Sequence, residues 1–78
     1  MLFPLSDLPI LRERGCPVFI FTYDNKYLNG IIIRTTGGSI ELYLPYNKIT
    51  EYVEKYTITK LADNESDIKL PNGWYWQR

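Results

Sequence analysis

Apolar and polar positions alternate along most of this chain, and the period of the alternation changes once. Over residues 6–15 the apolar Leu8 and Leu11 lie three apart, which puts them on one face of a helix and leaves Arg12 and Arg14 outside. Ser6 or Asp7 supplies a start, Pro9 is tolerable only in the first turn, and Gly15 with Pro17 supplies a stop. The segment has room for about two turns.

From Val18 onward the period is two. Val18, Ile20 and Thr22 point one way and Phe19, Phe21 and Tyr23 the other, so both faces of this first strand are partly apolar. Asp24-Asn25 suits a tight turn because both residue types tolerate positive φ, and Tyr27 opens a second strand running to Ile33. Gly30 stands inside that strand, where a missing Cβ permits a sharp bend. Gly37-Gly38 turns the chain again, and Ile40, Leu42 and Leu44 alternate with Glu41 and Tyr43 in a third strand. After a loop at Pro45-Tyr46-Asn47, residues 49–56 and 57–61 read as two further short strands with little between them. Residues 62–67, "ADNESD", break the pattern, and a tail ends in "LPNGWYWQR". The pattern predicts a mostly β fold: one short N-terminal helix, then five antiparallel strands over residues 1–61, then a polar linker and aromatic tail over 62–78.

Length and composition narrow the chemistry. With 78 residues the chain is one domain with a marginal core, so further stabilisation is expected. Cys16 is the only cysteine and there is no histidine, which excludes an internal disulfide and the usual zinc sites within one protomer. Self-association is the stabiliser that remains. Nine basic residues balance nine acidic ones, which argues against indiscriminate capture of duplex nucleic acid and makes any nucleic-acid role local. The carboxylates are scattered and form no nucleophile, phosphate-loop or metal-ligand pattern, so no enzyme, cofactor or small-molecule substrate is expected. No stretch has the length of a membrane span and "MLFPL" is not a secretory start, so a cytoplasmic protein is expected. Cys16, beside a strand, reads as a small buried apolar residue.

The run "LRERGCPVFIFTYDNKYLNGIII" resembles the start of the Sm-like family, and within it the bacterial Hfq RNA chaperones, where an Arg-rich helix leads through a Val-Pro-Val type step into strand one. Pro17, Val18, Ile20, Leu28, Gly30 and Ile32 fall where that family places its proline, core aliphatics and bending glycine. "VEKYTITKL", residues 53–61, is similar to the family's Val-Tyr-Lys-His-Ala-Ile-Ser run, with Val53, Lys55, Ile58 and Thr59 matching and Glu54 and Tyr56 departing. Gly38 or a neighbour replaces a base-stacking aromatic. The resemblance implies a strongly bent Sm-like (SH3-like) barrel that forms a homo-oligomeric ring, usually a hexamer, by pairing strands four and five edge to edge. It also implies single-stranded, A/U-rich RNA as partner and RNA annealing or post-transcriptional regulation as the task.

Three sets of residues follow from it. Phe21, Lys26, Tyr27 and Leu28 correspond to the family's A-rich RNA face, where stacking is worth about 1 to 3 kcal/mol per base; the plainer reading is a sheet face covered by the tail. Lys55 and Tyr56 correspond to the pore, where a ring repeats one lysine into a circle of charge; the plainer reading is a solvated strand. Arg12 and Arg14 correspond to the basic rim, interrupted by Glu13; the plainer reading is a solvated helix face. Trp74, Tyr75 and Trp76 are expected to pack on the domain or a neighbouring subunit, with RNA or a protein partner as the other reading. The alternative for the whole chain is a monomeric SH3-like protein-interaction module or inhibitor.

Overall fold

The computed structural model describes residues 1–78. A 3-10 turn over Leu5–Asp7 runs directly into helix α1, Leu8–Arg14. Pro9 sits in its first turn, where a missing N–H costs little, and Gly15 closes it at φ 66°, its N–H shared by the Leu11 and Arg12 carbonyls. The expected side-chain cap is absent, because Asp7 has helical rather than extended backbone angles.

Five strands follow: β1 (Val18–Thr22), β2 (Tyr27–Thr35), β3 (Ser39–Leu44), β4 (Ile49–Glu54) and β5 (Ile58–Ala62). They pair antiparallel in the order β4-β3-β2-β1-β5. One short helix followed by this sheet is a small Sm-like or SH3-like fold. The bend lies in β2, whose first half pairs with β1 (Leu28 opposite Ile20) and whose second half pairs with β3 (Ile32 opposite Leu42). Gly30 stands between the two halves, and a Cβ there would meet the Tyr43 carbonyl oxygen at 2.2 Å. The backbone approach is thus closed to any other residue. β2 also runs two residues beyond the expected Ile33, since Arg34 and Thr35 continue the ladder opposite Glu41 and Ile40.

The first hairpin is pinned from inside. Thr22, buried, donates its hydroxyl to Asp24 Oδ1 and accepts the Lys26 N–H at 3.1 Å, while Asn25 adopts φ 65°. The fourth strand is shorter than its alternation suggests. It ends at Glu54, and Lys55–Thr57 form a 3-10 turn in which Thr57 Oγ1 donates to the Glu54 carbonyl at 2.7 Å. Tyr56 therefore lies on a turn, not in a strand.

Two apolar clusters form, one on each face of β1. The larger holds Leu8 and Leu11 of α1, Val18 and Ile20, Leu28, Ile32, the inward residues of β3, and Val53, Ile58 and Leu61. The smaller holds Phe19, Tyr27, Ala62, Ile68 and Trp76, flanked by Phe21 and Leu70. This explains why β1 is apolar on both sides. Residues 62–78 are consequently part of the fold and not an appended tail. Gln77 bonds to β2 along its free inner edge, donating to the Tyr27 carbonyl and accepting from the Asn29 N–H, both at 2.8 Å. The Arg78 carbonyl oxygen accepts the Tyr46 and Asn47 N–H groups beyond the end of β3. Cys16 is half-buried rather than buried, because it lies in the short link before β1.

Candidate nucleic-acid interface

The hairpin set does not form one surface. Period two along β2 sends Tyr27 and Leu28 to opposite faces, and Leu28 is wholly enclosed in the larger cluster with no exposed area to offer a ligand. Phe21 and Tyr27 do stack, with ring centroids 4.6 Å apart and planes at 26°. Their neighbours, however, are supplied by the tail: Trp76 meets Phe19 edge-on at 5.0 Å and Tyr27 at 5.8 Å, and Trp74 meets Tyr27 at 5.5 Å. Tyr27 keeps 8% of its surface. Lys26 stays exposed at the hairpin tip.

Lys55 and Tyr56 come together on the 3-10 turn between β4 and β5. The Lys55 N–H donates to the Gly38 carbonyl at 2.9 Å, which ties this turn to the Gly37-Gly38 turn before β3. Lys55 is half-buried and forms no salt bridge. Tyr56 is exposed and inclines toward Tyr23, their ring centroids 6.4 Å apart. A hydrogen bond to the Glu54 carboxylate, and then that carboxylate's charge, hold the Tyr56 phenol above its ordinary pKa, with Tyr23 and Asp24 adding to the effect. A groove of about 240 Å³ runs between this turn and the hairpin tip, bordered by Tyr23, Asp24, Lys26, Tyr52, Glu54 and Tyr56.

Arg12 and Arg14 are exposed in the last turn of α1, with Glu13 exposed between them. Arg12 Nε donates to the Ile33 carbonyl at 3.4 Å, where β2 is irregular. No group of three or more Cys, Asp or Glu side chains is gathered closely enough to hold a metal ion. No helix is long and apolar enough to cross a membrane.

The strand edges differ. β4 pairs with β3 alone and presents its other edge along its whole length, with Ile49 and Tyr52 exposed. At the opposite end of the sheet, the last residues of β5 are covered by the N-terminal segment: Leu2 bridges Ala62, and the Phe3 N–H donates to the Leu61 carbonyl at 2.8 Å. The first residues of β5 have no such cover. No protein-family model matches this chain, and no curated protein matches it.

Tyr23 and Tyr52 border the groove beside the Lys55 turn although the sequence did not single them out as candidates. Their signal is present in the alternation, since Tyr52 faces out beside the inward Val53, as Tyr23 does beside Thr22. What alternation does not carry is the convergence of β1, β4 and the β4–β5 turn at one end of the barrel.

Proposed function

We propose that this chain joins copies of itself edge to edge into a closed ring and binds single-stranded RNA, as an Hfq-like annealer of regulatory RNA in the cytoplasm. The observation that carries the reading is the position of Lys55 on the three-residue turn joining the two outermost strands, β4 and β5. Pairing β4 of one copy with the open half of β5 of the next repeats this turn around the ring. One cation per protomer thereby becomes a circle of positive charge, although the protomer is neutral overall. Edge pairing also satisfies the backbone groups of β4, which otherwise template aggregation.

The RNA path in this reading runs over the Lys55 turn, the Gly37-Gly38 turn and the Arg12 and Arg14 rim. The hairpin face serves instead as the seat of the tail. Sedimentation at micromolar concentration should give a mass several times that of the 9.2 kDa protomer. Oligo-uridylate binding should weaken in Lys55→Ala, and the slope of log affinity against log salt should flatten by about 0.7 for each phosphate no longer neutralised. A monomer whose RNA binding ignores Lys55→Ala would overturn the proposal.

The cover over the last residues of β5 favours a second reading, a monomeric interaction module that receives a partner strand on β4. A stable 9.2 kDa species indifferent to RNA selects it.

A further inference from the structure

The groove at the hairpin tip has a chemistry that RNA binding does not use. Tyr23, Tyr52 and Tyr56 border it and remain 62%, 65% and 70% exposed, an aromatic concentration that soluble domains ordinarily cover or use. Asp24 and Glu54 border the same groove, and neither carboxylate forms a salt bridge. Lys26 is the one cation on its rim, so the titratable lining carries an excess of negative charge.

We infer that this groove is a cation site that takes the guanidinium of an arginine side chain presented by a protein partner. The faces of phenol rings attract cations, and the attraction operates within about 6 Å of a ring centroid. Tyr23 and Tyr56 are 6.4 Å apart with planes at 34°, so a head group seated at the mouth of that angle reaches both rings. Glu54 and Asp24 then meet its N–H groups, which a planar guanidinium supplies in a fixed fork and a quaternary ammonium lacks. The raised pKa of Tyr56 agrees with a negative field at the groove.

Charge and size argue against a nucleotide here. An RNA phosphate would meet two carboxylates against one lysine, and about 240 Å³ is below the roughly 300 Å³ at which small-molecule pockets begin. A single side-chain head fits. The site goes beyond the RNA reading; the two share the Lys55–Thr57 turn, on which Tyr56 borders the groove and Lys55 does not, so Lys55 variants tell them apart.

The test titrates the full chain at low salt with a Gly/Ser peptide carrying one arginine, following tyrosine ring signals by NMR. The peptide should shift Tyr23 and Tyr56, and the same peptide with glutamine in place of arginine should not. Tyr23→Phe and Tyr56→Phe should bind within about twofold of the parent, whereas Tyr23→Leu and Tyr56→Leu should each weaken binding about two- to fivefold. Glu54→Gln should weaken it as well. These side chains are exposed, and an unchanged backbone amide spectrum confirms that each variant folds. Equal binding by the Leu and Phe variants, or equal shifts with the glutamine peptide, overturns the site. Shifts of these rings by oligo-uridylate with none from the arginine peptide assign the groove to RNA and overturn it also. Lys55→Ala leaves peptide binding unchanged if the site is as inferred, so failure here and failure of the RNA reading give different patterns.

Discussion

Arg78 Nη1 donates to Asn29 Oδ1 at 2.7 Å, and Asn29 Nδ2 in turn donates to the Val18 carbonyl at 3.0 Å. One buried amide thus ties the end of the tail to the start of the first strand. Asn29 is 8% exposed, so its polar atoms depend on these partners and not on water. Asn29→Ala leaves the Val18 carbonyl and the Arg78 guanidinium each a partner short. The expected loss is about 1 to 3 kcal/mol, read from the midpoint of urea unfolding.

Trp76 fills the second apolar cluster but buries its indole N–H without an acceptor. Trp76→Ala should cost about 3 to 5 kcal/mol in the same urea assay, the range for emptying a large aromatic site. Trp76→Phe keeps a ring against Phe19 and Tyr27 and removes the unpartnered donor, so its cost should be less than half as large.

Gly30→Ala places a methyl against the Tyr43 backbone oxygen, which cannot move without parting β2 from β3. A loss of about 1 to 3 kcal/mol is expected from such overpacking. Gly37→Ala, with open space around the added carbon, should leave the urea midpoint nearly unchanged and serves as the control.

Tyr56 holds its proton more tightly folded than unfolded, because its hydroxyl hydrogen-bonds to the Glu54 carboxylate and the ionised phenol would face that charge. The sign follows by linkage: the contribution to stability is present below the unfolded phenol's pKa and is lost as pH rises through the folded one. Glu54→Ala removes both the acceptor and the charge and should bring the Tyr56 titration down toward the ordinary tyrosine value, whereas Glu54→Gln, which keeps an acceptor, should bring it down less. Ring shifts of carbon-labelled tyrosine across alkaline pH measure this directly.

The faces of β1 and β3 were legible because period two records which side meets the interior, and Val18, Ile20, Ile40, Leu42 and Leu44 all lie in the cluster that the alternation assigns them to. The helix ends at Gly15 for the same local reason that the sequence announces, a glycine able to take positive φ. The end of β4 was not legible. Alternation continues through Lys55 and Tyr56, and the strand stops there because Thr57 bonds back to Glu54 and Lys55 bonds across to Gly38. The seat of the tail was legible only as one of two readings of the β1 face, cover by the tail or a ligand, since Trp74 and Trp76 have no period that names their partner. The phenylalanines of β1 needed cover on their second face, and only the three-dimensional arrangement shows the indole supplying it. At the candidate site, Lys55 and Tyr56 were found as neighbours in sequence, while Tyr23 and Tyr52 join them only through the closure of the barrel.

The pairing of Gln77 with the inner edge of β2 has a consequence for synthesis. A chain emerging from the ribosome completes β1 and β2 well before Trp76 and Gln77 are made. Throughout that interval Phe19 and Tyr27 lack the indole that packs on them in the folded chain. The second apolar cluster therefore closes only after Trp76 has been made, later than the strands on which it sits.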